Sequence, residues 1–302
     1  MPRISVLMTA YNSEKYIGAA IESILNQTFS DFEFIIINDG STDNTPKIVK
    51  EYAKKDKRIK FIDNKVNQGL IAVLNQGIDL CQCEYIARMD SDDISLEQRF
   101  EKQIKYMDEH PECGVLGTSI KIFGPSIKKD RFYKYPKQVK LLDFVLYGNQ
   151  VAHPTTMIRR SILINNNLRY NPQYKHAEDF ALWAEIVRYT EIHNLQEILF
   201  HYRWYGNNVS VIHNNEQKEC AEKITRNILE SVSSSKQYIH ELLKLNCETN
   251  ERFYLFGFLP FIRRKQYAIT KTKYYLFEKI PIIKEQNNKI YLFEFIKIGS
   301  FK

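Results

Sequence analysis

The strongest constraint on this chain is an alternation running through residues 4–123, in which short apolar runs of strand length take turns with longer segments of helical spacing. Residues 4–9 (Ile4-Ser5-Val6-Leu7-Met8-Thr9) form the first run. Residues 14–26 follow, with Ile17, Ala20, Ile21, Ile24 and Leu25 on one helical face. Residues 32–38 carry Ile35-Ile36-Ile37, the unbroken apolar core of a strand covered on both sides. Residues 43–56 then read as helix, 60–62 as strand, 69–80 as helix, 85–89 as strand, 95–109 as a helix stopped by Pro111, and 114–123 as strand. Such alternation predicts an α/β fold with a mostly parallel central sheet and helices on both faces. In such sheets ligands bind beyond the carboxyl ends of the strands. The loops there read Thr9-Ala10-Tyr11-Asn12-Ser13, Asp39-Gly40-Ser41-Thr42-Asp43 and Asp90-Ser91-Asp92-Asp93, all polar and all on one predicted edge.

At 302 residues the chain has room for one large α/β domain with an extension. With 44% hydrophobic and 26% charged residues it is globular rather than disordered. The net charge of +7 suits an anionic substrate or membrane surface and is too scattered to argue for nucleic acid. The five cysteines (Cys81, Cys83, Cys113, Cys220 and Cys247) have neither metal-ligand nor redox spacing and read as reduced thiols of a cytosolic protein. No signal peptide is expected before the first strand, and no apolar run reaches the roughly 18 residues that a membrane span needs.

The loops narrow the chemistry. The first lacks G-x-G-x-x-G, and no G-x-x-x-x-G-K-[ST] occurs. A bound diphosphate would therefore need another source of positive charge. Asp90 and Asp92 could supply it by holding Mg²⁺ or Mn²⁺, which take one or two carboxylates plus phosphate oxygens. The competing reading is a helix cap formed by Asp93 or Ser95. A cap explains one acid, whereas three within four residues repel unless a cation is present. An EF-hand fails, because Ile94 and Ser95 stand where that loop wants an oxygen ligand and a Gly. Asp39 reads either as a turn residue or as a carboxylate accepting from a base N–H. Glu178-Asp179 opens a helix beside His176, and acids there ordinarily just offset the helix dipole. No G-x-S-x-G or comparable hydrolase pattern occurs.

The second half is mixed. Residues 153–160 read as strand, 177–189 as helix, 198–204 as strand, and 216–232 and 236–245 as amphipathic helices. After Thr249 a unit recurs as Tyr254-Leu255-Phe256, Tyr275-Leu276-Phe277 and Tyr291-Leu292-Phe293, a repeat of β-like segments.

Together, residues 4–12, 21–29, 34–43 and 85–93 strongly resemble the family 2 glycosyltransferases of the GT-A fold. The resemblance is close over residues 3–110 and looser to about 210. It implies a GT-A catalytic domain over residues 1–215 (a nucleotide-binding half at 1–110 and an acceptor and catalytic half at 111–215), a helical segment at 216–249 and a repetitive tail at 250–302. The tail is similar to those of some bacterial capsule and lipopolysaccharide transferases.

By position, the resemblance implies that Thr9, Ala10, Tyr11 and Asn12 wrap the nucleoside and that Asp39 binds the uracil edge. Asn67, Gly69, Arg88 and Ser91 complete that pocket. Asp90 faces the ribose or the metal, Asp92 ligates the metal, His201 is a further candidate ligand, and Arg203 lies near the diphosphate. Glu178 and Asp179 stand where the family has its catalytic acids, with Asp179 as general base. Thr9-Ala10 and Ser91 depart from the commonest family residues without removing a functional group.

The implied reaction is metal-dependent, inverting transfer of a sugar from a nucleotide-diphosphate donor, a UDP-sugar by expectation, to a hydroxyl of a saccharide or lipid-linked acceptor in cell-surface polysaccharide biosynthesis. A sugar-phosphate nucleotidylyltransferase is the alternative enzyme, and a non-catalytic nucleotide-sugar-binding protein the alternative class. The tail's basic residues, among them Arg263, Arg264, Lys265, Lys273 and Lys284, suit the inner face of a membrane, and equally packing on the catalytic domain or on a second subunit.

Overall fold

The computed structural model describes residues 2–206 and 208–233, and beyond them the strands between Arg252 and Ser300 by their backbone course. In chain order the first elements are β1 (Ile4–Ala10), α1 (Ile17–Leu25), β2 (Phe32–Asp39), α2 (Thr45–Lys55), β3 (Ile59–Asn64), α3 (Leu70–Leu80), β4 (Tyr85–Asp90), β5 (Ile94–Ser95), α4 (Arg99–Glu109) and β6 (Cys113–Phe123). Then come β7 (Arg131–Tyr133), β8 (Gln138–Val139), α5 (Leu141–Tyr147), β9 (Met157–Arg159), α6 (Arg160–Asn165), α7 (Glu178–Ile186), β10 (Glu191–Arg203), α8 (Val209–Ile212) and α9 (Asn214–Ser233).

One compact unit comprises Met1–Val139 and Val151–Cys220. Its sheet runs β3-β2-β1-β4-β9-β6-β10-β5, with β7 beside β6 and β8 beside β10. The β3-β2-β1-β4 half is parallel throughout. β9 is antiparallel to both β4 and β6. The chain builds outward from β1 through β2 to β3, then returns to lay β4 on the opposite side of β1. That reversal is a topological switch point, where a crevice opens at the strand ends.

The apolar runs determine what each face covers. Ile4, Val6 and Met8 of β1 lie with Phe34 and Ile36 of β2 in one core with Ile17, Ala20, Ile21 and Ile24 of α1 and Phe100 and Met107 of α4. Each fully buried side chain of this size contributes about 1.5–3 kcal/mol of transfer free energy. Leu7 points to the other face, where α3 lies so close that a methyl at Gly77 would collide with the Leu7 side chain.

Three expectations change. Residues 95–98 are not helical: β5 pairs with β10 at Ser95–Phe200 and Ile94–His201, and α4 starts only at Arg99. Tertiary bonds claim that backbone first, since Gln27 Nε2 donates to Leu96 O at 2.8 Å and Ser95 N donates to Ser23 Oγ at 3.1 Å. Residues 153–160 are a 3-10 turn over His153–Thr155, with Pro154 in it, followed by the three residues of β9. The strand expected at 198–204 is the end of the longer, bulged β10.

The second unit comprises Lys140–Gln150 and Ala221–Lys302. Its strands β11 (Arg252–Leu255), β12 (Leu259–Ala268), β13 (Lys271–Leu276), β14 (Ile280–Gln286), β15 (Lys289–Leu292) and β16 (Ile296–Ser300) form an antiparallel meander in chain order. The helix expected at residues 236–245 and Cys247 lie outside the described residues.

Candidate active site

Two loops lace together at the ends of β1 and β2. Asn12, held at φ 48°, accepts from Thr42 N on Oδ1 at 2.9 Å, while its own N donates to Ser41 Oγ at 2.9 Å. Ser13 N donates to Thr45 Oγ1 at 2.8 Å, and Asn44 N to Glu14 Oε2 at 2.9 Å. Asp39, only 4% exposed, accepts from Gln68 N at 2.8 Å and from Gly69 N at 2.9 Å. The carboxylate thus ties the end of β2 to the start of α3, and a second lone pair on each oxygen remains to accept from a ligand. Gly40 permits this approach: its φ is 67°, and a Cβ there would lie 2.6 Å from Asn67 N.

These loops and the end of β4 enclose a cavity of about 790 Å³. Its walls include Thr9, Ala10, Tyr11 and Asn12 from the first loop, Asp39 from the second, Asn67 and Gly69 from the third, and Asp90, Ser91 and Asp92 from the fourth. The structure therefore brings ten of the expected residues to one hollow. Ser13 joins the first loop to the fourth through a 2.7 Å hydroxyl contact with Ser91.

The acids of the fourth loop divide. Asp90 Oδ1 accepts from Nη2 of the buried Arg88 at 2.6 Å, so Arg88 lies behind the cavity wall as a counter-charge. Asp92 is half-buried, and its carboxyl is pushed above the usual range by burial first and the Asp90 charge second. Asp93 is buried and pushed well up by burial and then by Asp92. It caps no helix; its Oδ1 accepts from Arg203 N at 2.7 Å. Burial and mutual repulsion raise the two acids' pKa values, and a cation facing Asp90 and Asp92 would relieve that repulsion. Both line the cavity, and carboxylate oxygens are the donors a hard divalent ion takes, so the residues fit such an ion.

Arg203 differs from expectation. Its guanidinium lies over the rings of Tyr16 at 4.3 Å and Phe123 at 4.5 Å, and its Nε donates to Asp92 O at 2.6 Å. It fixes the acidic turn from behind and does not line the cavity. His201 packs 5.8 Å from the Phe123 ring and is not among the lining residues either, so the structure does not bring it to Asp90 or Asp92.

Glu178 and Asp179 form the first turn of α7. Glu178 is 8% exposed, and burial followed by the Asp179 charge pushes its carboxyl up to about 7. The preceding segment is held in an unusual conformation. His176 has φ 67°, its ring stacks on His213 at 3.9 Å, its Nε2 lies 3.2 Å from Glu216 Oε2, and its carbonyl accepts from Gln217 Nε2 at 2.9 Å. Ligand atoms of His176, His213 and Glu216 lie within 4.8 Å of one another, but the two imidazoles are parallel to within 12°. Their lone pairs run side by side rather than converging, so the set acts as a clamp on the acid-bearing loop.

Sequence reasoning missed Lys15, Tyr16, Lys175 and Tyr205, which also line the cavity. Lys175 stands four residues before Asp179 and makes no ion pair or hydrogen bond among the described residues. Its proximity to the acid pair in sequence was the available signal.

A parallel half-sheet, a switch-point cavity and an acid-rich strand end are the features of a GT-A fold. Residues 5–166 match the profile of Glycosyl transferase family 2, and the chain belongs to that family. It is 35% identical over 222 residues to the O-antigen biosynthesis glycosyltransferase WbnJ of Escherichia coli, covering 72% of this chain and 83% of that one. It is 37% identical over 234 residues to an uncharacterized glycosyltransferase of Haemophilus influenzae, covering 74% and 72%. Its fold is similar to that of S. aureus TarS solved in complex with UDP, with a TM-score of 0.57 and 24% identity over 82% of this chain and 76% of that one. A mannosyltransferase from Pyrobaculum calidifontis, solved with GDP-Man and Mn2+, gives a TM-score of 0.54 at 13% identity, covering 82% of this chain and 81% of that one. Membership of a glycosyltransferase family removes the nucleotidylyltransferase alternative. No helix among the described residues is long and apolar enough to cross a membrane.

Proposed function

We propose that this glycosyltransferase moves a sugar from a UDP-linked donor to a hydroxyl of a saccharide or lipid-linked acceptor in cell-surface polysaccharide assembly, with inversion at the anomeric carbon. The observation that carries the reading is the single cavity in which Asp39, Asp90, Asp92 and Lys175 meet. Asp39 binds the base edge, and the first loop holds the nucleoside. Asp90 and Asp92 would hold a divalent cation, Mn²⁺ or Mg²⁺, which when bound neutralises charge on the departing diphosphate. Lys175, four residues before Asp179, adds a positive charge to the cavity wall.

Asp179 takes the proton of the acceptor hydroxyl as that oxygen attacks the anomeric carbon opposite the leaving group. Glu178, raised to about 7 and so about half protonated at neutral pH, lessens the negative charge beside that base. The UDP complex of the structurally similar TarS and the O-antigen role of WbnJ support the donor and pathway class. The basic tail is assigned to the inner surface of a membrane.

The test is a donor screen with Mn²⁺ or Mg²⁺ that reads out released nucleoside diphosphate, run on wild type and D179N. Turnover of a UDP-sugar by wild type, abolished in D179N with UDP binding intact, is the expected result. Turnover that survives in D179N while UDP binding is lost would refute the role assignment.

A further inference from the structure

Tyr205 lines the cavity, and its hydroxyl donates to Asp92 Oδ2 at 3.0 Å. The rest of the residue is held through its ring and its backbone. Its ring stacks on Tyr16 with centroids 6.2 Å apart and planes 15° from parallel. Its backbone N donates to Asn208 Oδ1 at 3.0 Å, and Asn208 Nδ2 in turn donates to Arg203 O at 2.9 Å. Asn208 is 4% exposed, so the group that anchors Tyr205 is itself buried. Arg203, at the head of the loop, grips the acidic turn at Asp92 O and Asp93 Oδ1. Arg203 and Tyr205 therefore brace the turn at Asp92 and Asp93, and among the described residues it is Tyr205 whose side chain donates to the Asp92 carboxylate.

From this geometry we propose that Tyr205 is a positioning residue for the cation-binding carboxylate. Its hydroxyl fixes one oxygen of Asp92, leaving the other free to ligate the divalent ion that Asp90 and Asp92 would hold. A carboxylate has two oxygens and about four lone-pair sites, so one hydrogen bond leaves it able to ligate. Holding the group in one rotamer removes the ordering that binding would otherwise require. Outer partners of metal ligands orient them in this way, and their loss typically weakens metal affinity about 10–100-fold. The inference rests on the reading of Asp90 and Asp92 as the cation site and adds the group that orients it. Tyr205 itself is not offered as a ligand.

The test uses full-length protein, with free Mn²⁺ followed by electron paramagnetic resonance during titration, with and without UDP. The variants are Y205F, which removes only the hydroxyl, N208A, which loosens the loop without touching Asp92, and D92N as reference. The expected result is Mn²⁺ binding roughly 10-fold or more weaker in Y205F. N208A should shift in the same direction by less, and uridine affinity should be unchanged in both. Y205F that binds Mn²⁺ as tightly as wild type, or more tightly, overturns the positioning role; in the second case the hydroxyl competes with the ion. Wild type and D92N binding Mn²⁺ identically, or not at all, would overturn the cation site and this inference together, and so separates the two failures.

Discussion

Thr9 and Asp90 are directly opposite one another at the last paired position of β1 and β4. Beyond that pair β4 ends, and β1 ends one residue later at Ala10. The first loop and the acidic loop are therefore set against each other by a backbone ladder, to which the Ser13–Ser91 hydroxyl contact adds. Within the acidic loop, by contrast, individual side chains carry separable roles, and this can be measured.

Asp90 and Asp92 should respond oppositely in stability. Asp90 neutralises Arg88, which is 2% exposed, so D90A leaves a buried guanidinium short of its partner. Breaking a buried pair costs about 3–5 kcal/mol, and partial exposure of Asp90 sets the expectation at the lower end. Asp92 titrates above its ordinary range in the folded chain through burial and the Asp90 charge. Its contribution to stability is therefore present at low pH and lost as pH rises through that raised value. D92N removes the loss. Thermal melts at pH 8 should show D90A well below wild type and D92N equal to or above it, with Mn²⁺ binding impaired in both. A D92N melt several degrees below wild type would contradict this.

Glu178 gives a pH signature at the acid pair. Its folded value of about 7 lies above the usual carboxylate range, because burial, and then Asp179, disfavour its ionised form. A raised value means that stability is complete below the unfolded value and declines as pH climbs through 7. At pH 8 the loss is on the order of 3 kcal/mol. E178Q copies the protonated shape and cannot ionise, so its stability should be flat from pH 5 to 8 while wild type declines. Activity of E178Q should stay within about tenfold of wild type, whereas D179N should fall by about 10²–10⁴ as a lost general base. Equal inactivation by the two amides would make Glu178 the base or its equal partner.

Lys175 should distinguish a diphosphate from a nucleoside. It lines the cavity one residue before His176 of the clamped loop. A charge-assisted contact is worth roughly 1.5–3 kcal/mol, so K175A should weaken UDP by about tenfold or more and leave uridine unchanged, with K175R recovering most of the difference. Calorimetry with both ligands reads this directly. Parallel losses for UDP and uridine would instead mean that the loop has moved.

How much of this was legible in the chain depends on the distance over which each feature is encoded. The alternation of apolar runs and helical faces set out β1 to α4 because each element carries its own period. The strand-end acids Asp39, Asp90 and Asp92 followed from that frame, since topology alone places them on one edge. The surroundings of Arg203 were not legible, for the opposite reason. Whether a guanidinium reaches a ligand or sits between two rings depends on Tyr16 and Phe123, 187 and 80 positions earlier in the chain, and on the carbonyl of Asp92. Tyr205 escaped notice because a single tyrosine has no pattern until β10 brings it to Asp92. The helix expected from Ser95 failed where Gln27 and Ser23, distant in sequence, took its backbone partners first.

The tail yields the last prediction. Cross-strand register sets Lys265 opposite Lys273, Lys273 opposite Lys284, Lys284 opposite Tyr291, and Tyr291 opposite Lys297. Four lysines thus occupy one row across β12 to β16, on positions that share a sheet face. Like charges directly opposite one another destabilise a sheet, and an anionic surface would offset that repulsion. Each lysine near an anionic bilayer contributes about 1 kcal/mol. Full-length protein should therefore float with vesicles containing phosphatidylglycerol and not with pure phosphatidylcholine vesicles, and 0.5 M salt should release it as screening shortens the Debye length to about 4–5 Å. Replacing Lys265, Lys273, Lys284 and Lys297 with Gln should abolish flotation and leave UDP affinity unchanged. Flotation of the fourfold variant at the wild-type level would exclude this row as the contact, and failure of wild type to float would assign the tail to packing within or between protein chains instead.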